Sequence, residues 1–101
     1  MPVWRDVWGV EVRVTEERLG HIHLHRELIG HEDLVQLTLA EPDFVVSSAQ
    51  DSPVRIYDKH FADSPVGDKH LWAVVKWSPQ DAFLLSAYFT DRRRKGTQLW
   101  P

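Results

Sequence analysis

The sequence predicts an α+β fold in which N-terminal helices pack on a four-stranded antiparallel β-meander. The second half of the chain holds runs of β-branched and aromatic residues separated by turn residues, a pattern typical of antiparallel strands. The first half holds two segments with apolar residues at helical spacing. With 101 residues the chain has the size of one domain, so we expect a single domain over residues 1–101.

The two predicted helices follow an alternating segment at 8–14, which indicates a strand or extended arm. Thr15 is a favourable N-cap, so the first helix should begin there and run through the histidine segment to Gly30. The second helix should begin near His31 and end before Pro42.

The four predicted strands cover residues 43–48, 54–59, 71–77 and 83–90. A turn at 49–53 and a longer loop at 62–69 should separate the first three. A five-residue connection, 78–82, should join the last two strands and place Trp77 opposite Phe83.

This register separates the side chains into two faces. One face is wholly apolar: Leu71, Ala73, Val75, Trp77, Phe83, Leu85, Ala87 and Phe89. The other is half polar, and we expect the preceding strand to add cations and a tyrosine to it: Trp72, Val74, Lys76, Leu84, Ser86, Tyr88 and Thr90, with Arg55, Tyr57 and Lys59. Aromatic rings beside cations suit single-stranded nucleic acid, whose bases stack and whose phosphates need positive partners.

The amino-acid composition excludes several classes of protein. The chain has no cysteine, which excludes a disulfide framework and a cysteine-based zinc site. It has neither a signal-like start nor an apolar run of membrane-spanning length, so a soluble cytoplasmic protein without membrane contact is expected. A formal net charge of −3 argues against a protein that coats nucleic acid non-specifically, but it allows a local basic site.

Six histidines give the chain candidates for acid–base chemistry. His21 and His25, four residues apart, would share one face of a helix, with Arg18 one turn earlier. One imidazole can accept a proton while another donates one. Two histidines at this spacing can also bind zinc, but no third ligand stands out, so no metal site and no cofactor are predicted. Local hydrogen bonding at the helix surface is the alternative role.

The basic run Arg92-Arg93-Arg94-Lys95 follows the last strand directly. Such runs are usually solvated turns. This one leaves the strand at the same end as Tyr88 and Thr90, so a loop that binds phosphate is the alternative to a solvated turn. Gly96 would then allow the bend that returns Leu99 and Trp100 to the core.

An ordered set of short motifs extends over the chain from about Val10 to Trp100. They are Thr15-Glu16-Glu17-Arg18 with His21-Ile22 and His25; Thr38-Leu39 with Pro42-Asp43 and Val45; Arg55-Ile56-Tyr57; Leu71 with Val74-Val75-Lys76; Ser86-Ala87-Tyr88 with Thr90-Asp91; and Lys95-Gly96 with Leu99-Trp100. This set resembles the phage-associated group of the barnase–EndoU–colicin E5/D–RelE superfamily. Ser86, where a threonine is expected, and Glu27, where a proline is expected, depart from the pattern.

The resemblance implies a small metal-independent endoribonuclease of phage and mobile-element toxins, with a RelE-like fold. Carried over to this chain, it gives one set of catalytic candidates and, with the neighbouring cations, one set of substrate-binding candidates. The catalytic candidates are His21, His25, Arg55, Tyr57, Ser86 and Tyr88. The substrate-binding candidates are Arg18, Lys76, Thr90, Arg92 and Lys95.

The expected reaction is attack of an RNA 2′-hydroxyl on the adjacent phosphodiester, leaving a 2′,3′-cyclic phosphate. His21 would be the base, Arg55 with Arg18 or Lys95 would stabilise the transition state, and His25 or Tyr88 would protonate the leaving oxygen. An inactive module that binds RNA or protein and a histidine-rich metal protein are the alternatives. The expected partners are an RNA substrate and an antitoxin or immunity protein. The sequence leaves the oligomeric state open.

Overall fold

The computed structural model describes residues 3–47 and 53–101, which form a seven-stranded mixed sheet curled into a half-barrel. The strands are β1 Val3–Arg5, β2 Glu11–Arg13, β3 Phe44–Ser47, β4 Val54–Ser64, β5 Gly67–Ser78, β6 Asp81–Thr90 and β7 Thr97–Trp100. The helices are α1 Glu16–Ile22 and α2 Glu32–Ala40, with a 3₁₀ turn at Arg26–Leu28 between them. The strand order is β1-β2-β6-β5-β4-β3-β7.

The predicted fold class is wrong, because the protein is mostly sheet and only 20% helical. Strands β3 to β6 are neighbours and antiparallel, but they are the centre of a wider sheet. The predicted arm folds into the β1–β2 hairpin, and β2 then pairs in parallel with β6 at Arg13–Phe83. On the other side β7 pairs with β3. The β2–β6 and β3–β7 pairings join distant parts of the chain, so no local pattern predicts them.

The first helix is shorter than the spacing predicts, whereas the second, Glu32–Ala40, has the predicted bounds. Thr15 is the N-cap of α1, as predicted, and its hydroxyl accepts a hydrogen bond from the Arg18 amide at 3.1 Å. The helix ends at Ile22, however, and His25 has an extended backbone with ψ 95°. His21 and His25 therefore do not share a face of one continuous helix.

Both long hairpins turn more tightly than predicted. The predicted loop at 62–69 is instead a turn at 65–66, with Ser64 opposite Gly67. The β5–β6 turn has two residues, 79–80, rather than five, so Trp77 lies opposite Ala82 instead of Phe83. The turn predicted at 49–53 lies largely outside the described residues, which omit 48–52.

A β-bulge between Val74 and Val75 shifts the β5–β6 pairing by one residue. Beyond the bulge the pairing agrees with the predicted register, since Leu71 lies opposite Phe89. Near the turn the shift moves Ala82 and Leu84, rather than Phe83 and Leu85, into the core.

The core lies between the helices and one face of the sheet. Its fully or nearly fully buried members come from the helical segment and from the sheet: Val12, Val14, Ile22, Leu28, Val35, Leu39, Val45, Tyr57, Leu71, Ala73, Val75, Ala82, Leu84 and Ala87. Burying a side chain of the size of leucine or isoleucine contributes about 1.5–3 kcal/mol. This packing fixes which face of each central strand is turned away from the helices.

The face turned away from the helices, here named the second face, follows from the strand pairing. Its central residues are Ile56, Asp58, His60, His70, Trp72, Val74, Ser86, Tyr88 and Thr90. A smaller apolar cluster of Phe44, Val46 and Ile56 lies beside them. Residues 91–96, here named the basic loop, leave β6 and reach β7 at the far side of β3, so they cross this face.

Gly96 ends the basic loop in a conformation that favours glycine, with φ 151°. A Cβ atom at this position would lie 2.5 Å from the backbone oxygen of Ser47. The close approach allows β7 to pair with β3. Trp100 packs against the core as predicted, but Leu99 remains 39% exposed, so its predicted return to the core is wrong. Within the described residues, no helix combines the length and apolar character needed to cross a membrane.

Candidate functional site

Arg55, Tyr57 and Lys59 do not lie on the predicted polar face. They pair with Val75, Ala73 and Leu71, so their side chains point to the helix-covered face, away from Ser86 and Tyr88. The cause is an irregularity between Phe61 and Ser64 that shifts the β4–β5 register by one residue. A shift of one residue sends every side chain of a strand to the opposite face. In their place the strand presents Ile56, Asp58 and His60 to the second face.

The contacts of Tyr57 and Arg55 stabilise the fold. The Tyr57 hydroxyl is fully buried and donates to Oδ2 of Asp6 at 2.6 Å. Asp6 also accepts hydrogen bonds from the amides of Trp8 and Val10. The guanidinium of Arg55 lies 4.1 Å from the ring centroid of Trp77 and 5.3 Å from that of Trp8. Through these contacts the turn between β1 and β2 packs against the central sheet.

Burial, together with the hydrogen bond and the charge of Asp6, raises the pKa of Tyr57. A raised pKa in the folded state means that the stabilisation is fully present below pH ~10, the ordinary tyrosine value, and decreases as the pH rises above it. We expect the free energy of unfolding to fall by about 1.4 kcal/mol per pH unit above that point. Denaturant titrations from pH 8 to 11 would measure this slope.

Tyr57→Phe is the control for this titration. Removing the hydroxyl leaves a buried carboxyl oxygen of Asp6 without its donor, so we expect a loss of about 1–3 kcal/mol at pH 8. The alkaline decrease in stability should be smaller in the variant than in the parent protein. Equal slopes in both proteins would show that Tyr57 does not titrate as the contact requires.

Among the other predicted residues, the structure brings together His25 and Tyr88, whose ring centroids lie 5.8 Å apart. A single described pair joins β2 to β6, which leaves the rest of the β6 edge open to the segment after α1. Ser86 lies two residues before Tyr88 on the second face, and Thr90 lies opposite His70.

The remaining predicted residues are dispersed. His21 is exposed on α1, and no described contact joins it to the second face. Arg18 is half-buried on the same helix. Lys76 is exposed at the opposite end of the second face, opposite Phe83. Arg92 and Lys95 are exposed on the basic loop, as predicted for a cation-bearing loop.

Asp58 is the centre of the second face, and the sequence analysis did not identify it. Its side chain is 0% exposed. Oδ1 lies 2.7 Å from Nδ1 of His70, and Oδ2 accepts hydrogen bonds from the Trp72 indole at 3.0 Å and from the Arg94 amide at 2.7 Å. A buried carboxyl group thus fixes an imidazole, an aromatic ring and the backbone of the basic loop. The sequence signal was weak, because the acid stands between Tyr57 and Lys59 in an alternating strand.

The contact with Asp58 orients His70. A carboxyl oxygen at Nδ1 favours the tautomer with its proton on that nitrogen and leaves Nε2 as a proton acceptor. Among the described residues, none forms a hydrogen bond with Nε2. The ring of His60 lies 5.1 Å away, and its own Nε2 contacts Asp68. His70 is partly exposed, with 21% of its side-chain area accessible, so a ligand can reach it.

An aromatic row connects the two histidines across the second face. The Tyr88 ring contacts His25 on one side and the Trp72 ring, at 5.6 Å, on the other. Trp72 in turn donates to Asp58, which contacts His70. His70 therefore lies beside Trp72 on the same strand, whereas His25 lies beyond Tyr88, across from Trp72.

The basic loop forms the positive part of the site. A pocket of about 360 Å³ is lined by Trp72 and residues 92–95, and one of about 280 Å³ lies on the other side of the loop, lined in part by Val46 and Gln98. The Arg94 guanidinium lies 5.4 Å from the Trp72 ring centroid. Its Nε is buried and has no hydrogen-bond partner among the described residues.

No acidic residue among those described lines either pocket, although the buried Asp58 lies behind the first one, in contact with Trp72 and the Arg94 amide. The neighbouring Asp91 forms an ion pair with Lys69, and that hydrogen bond lowers the pKa of Asp91. A third pocket of about 380 Å³ lies near the β5–β6 turn. Of its charged residues, Arg13 and Asp81 pair with each other and Glu11 pairs with Arg5, so it offers less free charge to a ligand.

Across residues 3–47 and 53–101, the structure gathers no group of three or more histidine or acidic side chains able to hold a metal ion. Comparisons of the chain with protein-family models, with curated proteins and with solved structures found no match. The candidate site therefore has to be interpreted from its own geometry.

Proposed function

We propose that this chain is a metal-independent endoribonuclease that forms 2′,3′-cyclic phosphate ends, with its site on the second face. The observation that carries the proposal is the presence of two histidines at the second face, His70 beside Trp72 and His25 beside Tyr88. One of them is oriented by a buried carboxyl group, and the basic loop crosses the face beside them. Proton acceptors, proton donors and fixed cations are the groups that RNA transphosphorylation requires.

His70 is the better candidate for the base than the predicted His21. Its Nδ1 is held by Asp58, while Nε2 has no described partner and is available to a substrate hydroxyl. In the proposed step Nε2 takes the proton of the 2′-hydroxyl as the 2′-oxygen forms a bond to phosphorus. General-base assistance of this kind contributes about 10²–10⁴-fold to the rate.

His25, in contact with Tyr88, is the proposed acid. It gives a proton to the 5′-oxygen as the bond from that oxygen to phosphorus breaks, so the 2′,3′-cyclic phosphate and a 5′-hydroxyl are the products. Arg94 takes the charge-stabilising role predicted for Arg55, because Arg55 lies against Trp77 on the other face.

The sequence resemblance also supports the proposal, through the part of its motif that lies near the second face. Its motif residues His25, Ser86, Tyr88, Thr90 and Lys95 lie on the second face, at its edge or on the basic loop. A toxin-like ribonuclease inside a cell would need an inhibitor, so an antitoxin or immunity protein belongs to the proposal as a partner.

Incubating the purified protein with total RNA in EDTA, followed by mapping of the cut ends, tests the proposal. We expect cleavage with 2′,3′-cyclic phosphate ends and a decrease of about 10²-fold or more for His25→Ala. His31→Ala, at an exposed histidine before α2, is the matched control and should cleave as the parent does. Intact RNA from folded protein would overturn the proposal and favour an inactive RNA-binding module. Cleavage that requires added metal would overturn the proposed chemistry.

A further inference from the structure

We infer that the pocket between Trp72 and the basic loop binds one unpaired nucleotide, with its base on Trp72 and its phosphate at Arg92 and Arg94. The substrate of the site is then single-stranded RNA or an unpaired loop. The inference takes the identity of the ligand as RNA from the proposed function. It adds the nucleotide subsite and the preference for unpaired RNA.

The composition of the pocket wall indicates this ligand. One aromatic ring and four consecutive cationic residues line it, and no acidic residue does so among the described residues. A base has a π-face that stacks on an aromatic ring, and the attached phosphate needs a cation nearby. Neither an aliphatic ligand nor a free carboxylate would use both parts of such a wall.

Both parts of the wall are held in place before a ligand arrives. The Trp72 indole and the Arg94 amide donate to the same oxygen of Asp58, which is fully buried. A polar group of Arg94, its Nε, is buried without a partner among the described residues. A phosphate oxygen is an acceptor that would satisfy such a donor.

The charge distribution makes this a local site rather than a general affinity for polyanions. The chain has a net charge of −3, yet four of its 12 lysine and arginine residues lie at 92–95.

Stacking on Trp72 requires an exposed base face. In a duplex the bases are paired and stacked on each other, so this contact is not available.

Binding of an uncleavable probe tests the inference separately from cleavage. The probe is a fluorescein-labelled ten-nucleotide 2′-O-methyl RNA, which lacks the attacking hydroxyl. Its binding is measured by fluorescence polarisation, both as a single strand and after annealing to its complement. We expect the single strand to bind at least about tenfold more tightly than the duplex. Trp72→Leu should lower single-strand affinity by about tenfold or more, whereas the matched variant Trp8→Leu, on the helix-covered side, should not.

Arg92→Ala provides a second test that does not depend on the folding of the Trp72 variant, because Arg92 is exposed. Losing one phosphate contact should reduce the slope of log affinity against log salt by about 0.7 for a single strand. Arg5→Ala, at an exposed arginine of β1, should leave the slope unchanged. Equal binding of strand and duplex, or parent-like binding by both folded Trp72→Leu and Arg92→Ala, would overturn the inference.

The two proposals fail in different ways. If total RNA stays intact in EDTA while the probe binds as expected, the nuclease proposal is wrong and the nucleotide subsite stands. If RNA is cleaved and the two pocket variants bind the probe as the parent does, the subsite is wrong and the nuclease proposal stands.

Discussion

Replacing Asp58 with alanine should lower the free energy of unfolding by roughly 3–5 kcal/mol, because three nitrogen groups would lose their acceptor at once. Two of them, the Trp72 indole and the Arg94 amide, are donors that have no other partner among the described residues. Each buried donor left without a partner costs about 1–3 kcal/mol. For a domain of this size the melting temperature should fall by more than about 10 °C.

Asp63→Ala is the matched control for the Asp58 variant. Asp63 lies on the same strand, β4, but is exposed. Its removal should change stability by no more than about 0.5 kcal/mol. Thermal melts of both variants, followed by circular dichroism, compare them directly. A melting temperature of Asp58→Ala within a few degrees of the parent would mean that Asp58 does not organise the second face.

Replacing His70 with asparagine should lower the cleavage rate by about 10²–10⁴-fold while leaving the fold and RNA binding in place. The asparagine amide can donate to Oδ1 of Asp58, as Nδ1 of His70 does, but it cannot accept the proton of a hydroxyl. The loss should therefore appear in kcat, with little change in the affinity for the uncleavable probe. Single-turnover cleavage in EDTA and probe binding, measured on the same preparation, separate the two quantities.

His31→Asn is the control for this substitution, because it makes the same chemical change at an exposed histidine outside the second face. It should cleave RNA at the parent rate. A His70→Asn protein that also cleaves at the parent rate would remove His70 from the base role. A loss of probe binding that equals the loss of rate would assign His70 to binding instead.

Local signals in the sequence predicted the local features of the fold. Thr15 begins α1 and Pro42 follows α2 because capping and the missing amide of proline act within a few residues. The runs of β-branched and aromatic residues also mark the positions of the central strands. His25 and Tyr88 were both predicted as site residues, and they contact each other, although the helix predicted to contain His25 ends at Ile22.

The site could not be predicted in full, because two register shifts of one residue decide which side chains share a face. The shift between Phe61 and Ser64 places Asp58, rather than Lys59, opposite Trp72. The shift between Val74 and Val75 exchanges Leu84 and Leu85 between the faces. Residue preferences in a strand hardly distinguish a regular ladder from a bulged one, and a single extra residue reverses the orientation of all that follow.

The path of the basic loop has a consequence for the entropy of ligand binding. From β6 to β7 the chain passes four interstrand gaps of about 4.8 Å each, or about 19 Å. The seven Cα steps from Thr90 to Thr97 can reach at most about 24 Å when fully extended. The loop is therefore close to taut, and its middle is tied to Asp58. Most of its backbone freedom is lost when the protein folds, so a phosphate that meets Arg92 and Arg94 would bind side chains whose backbone needs little further ordering.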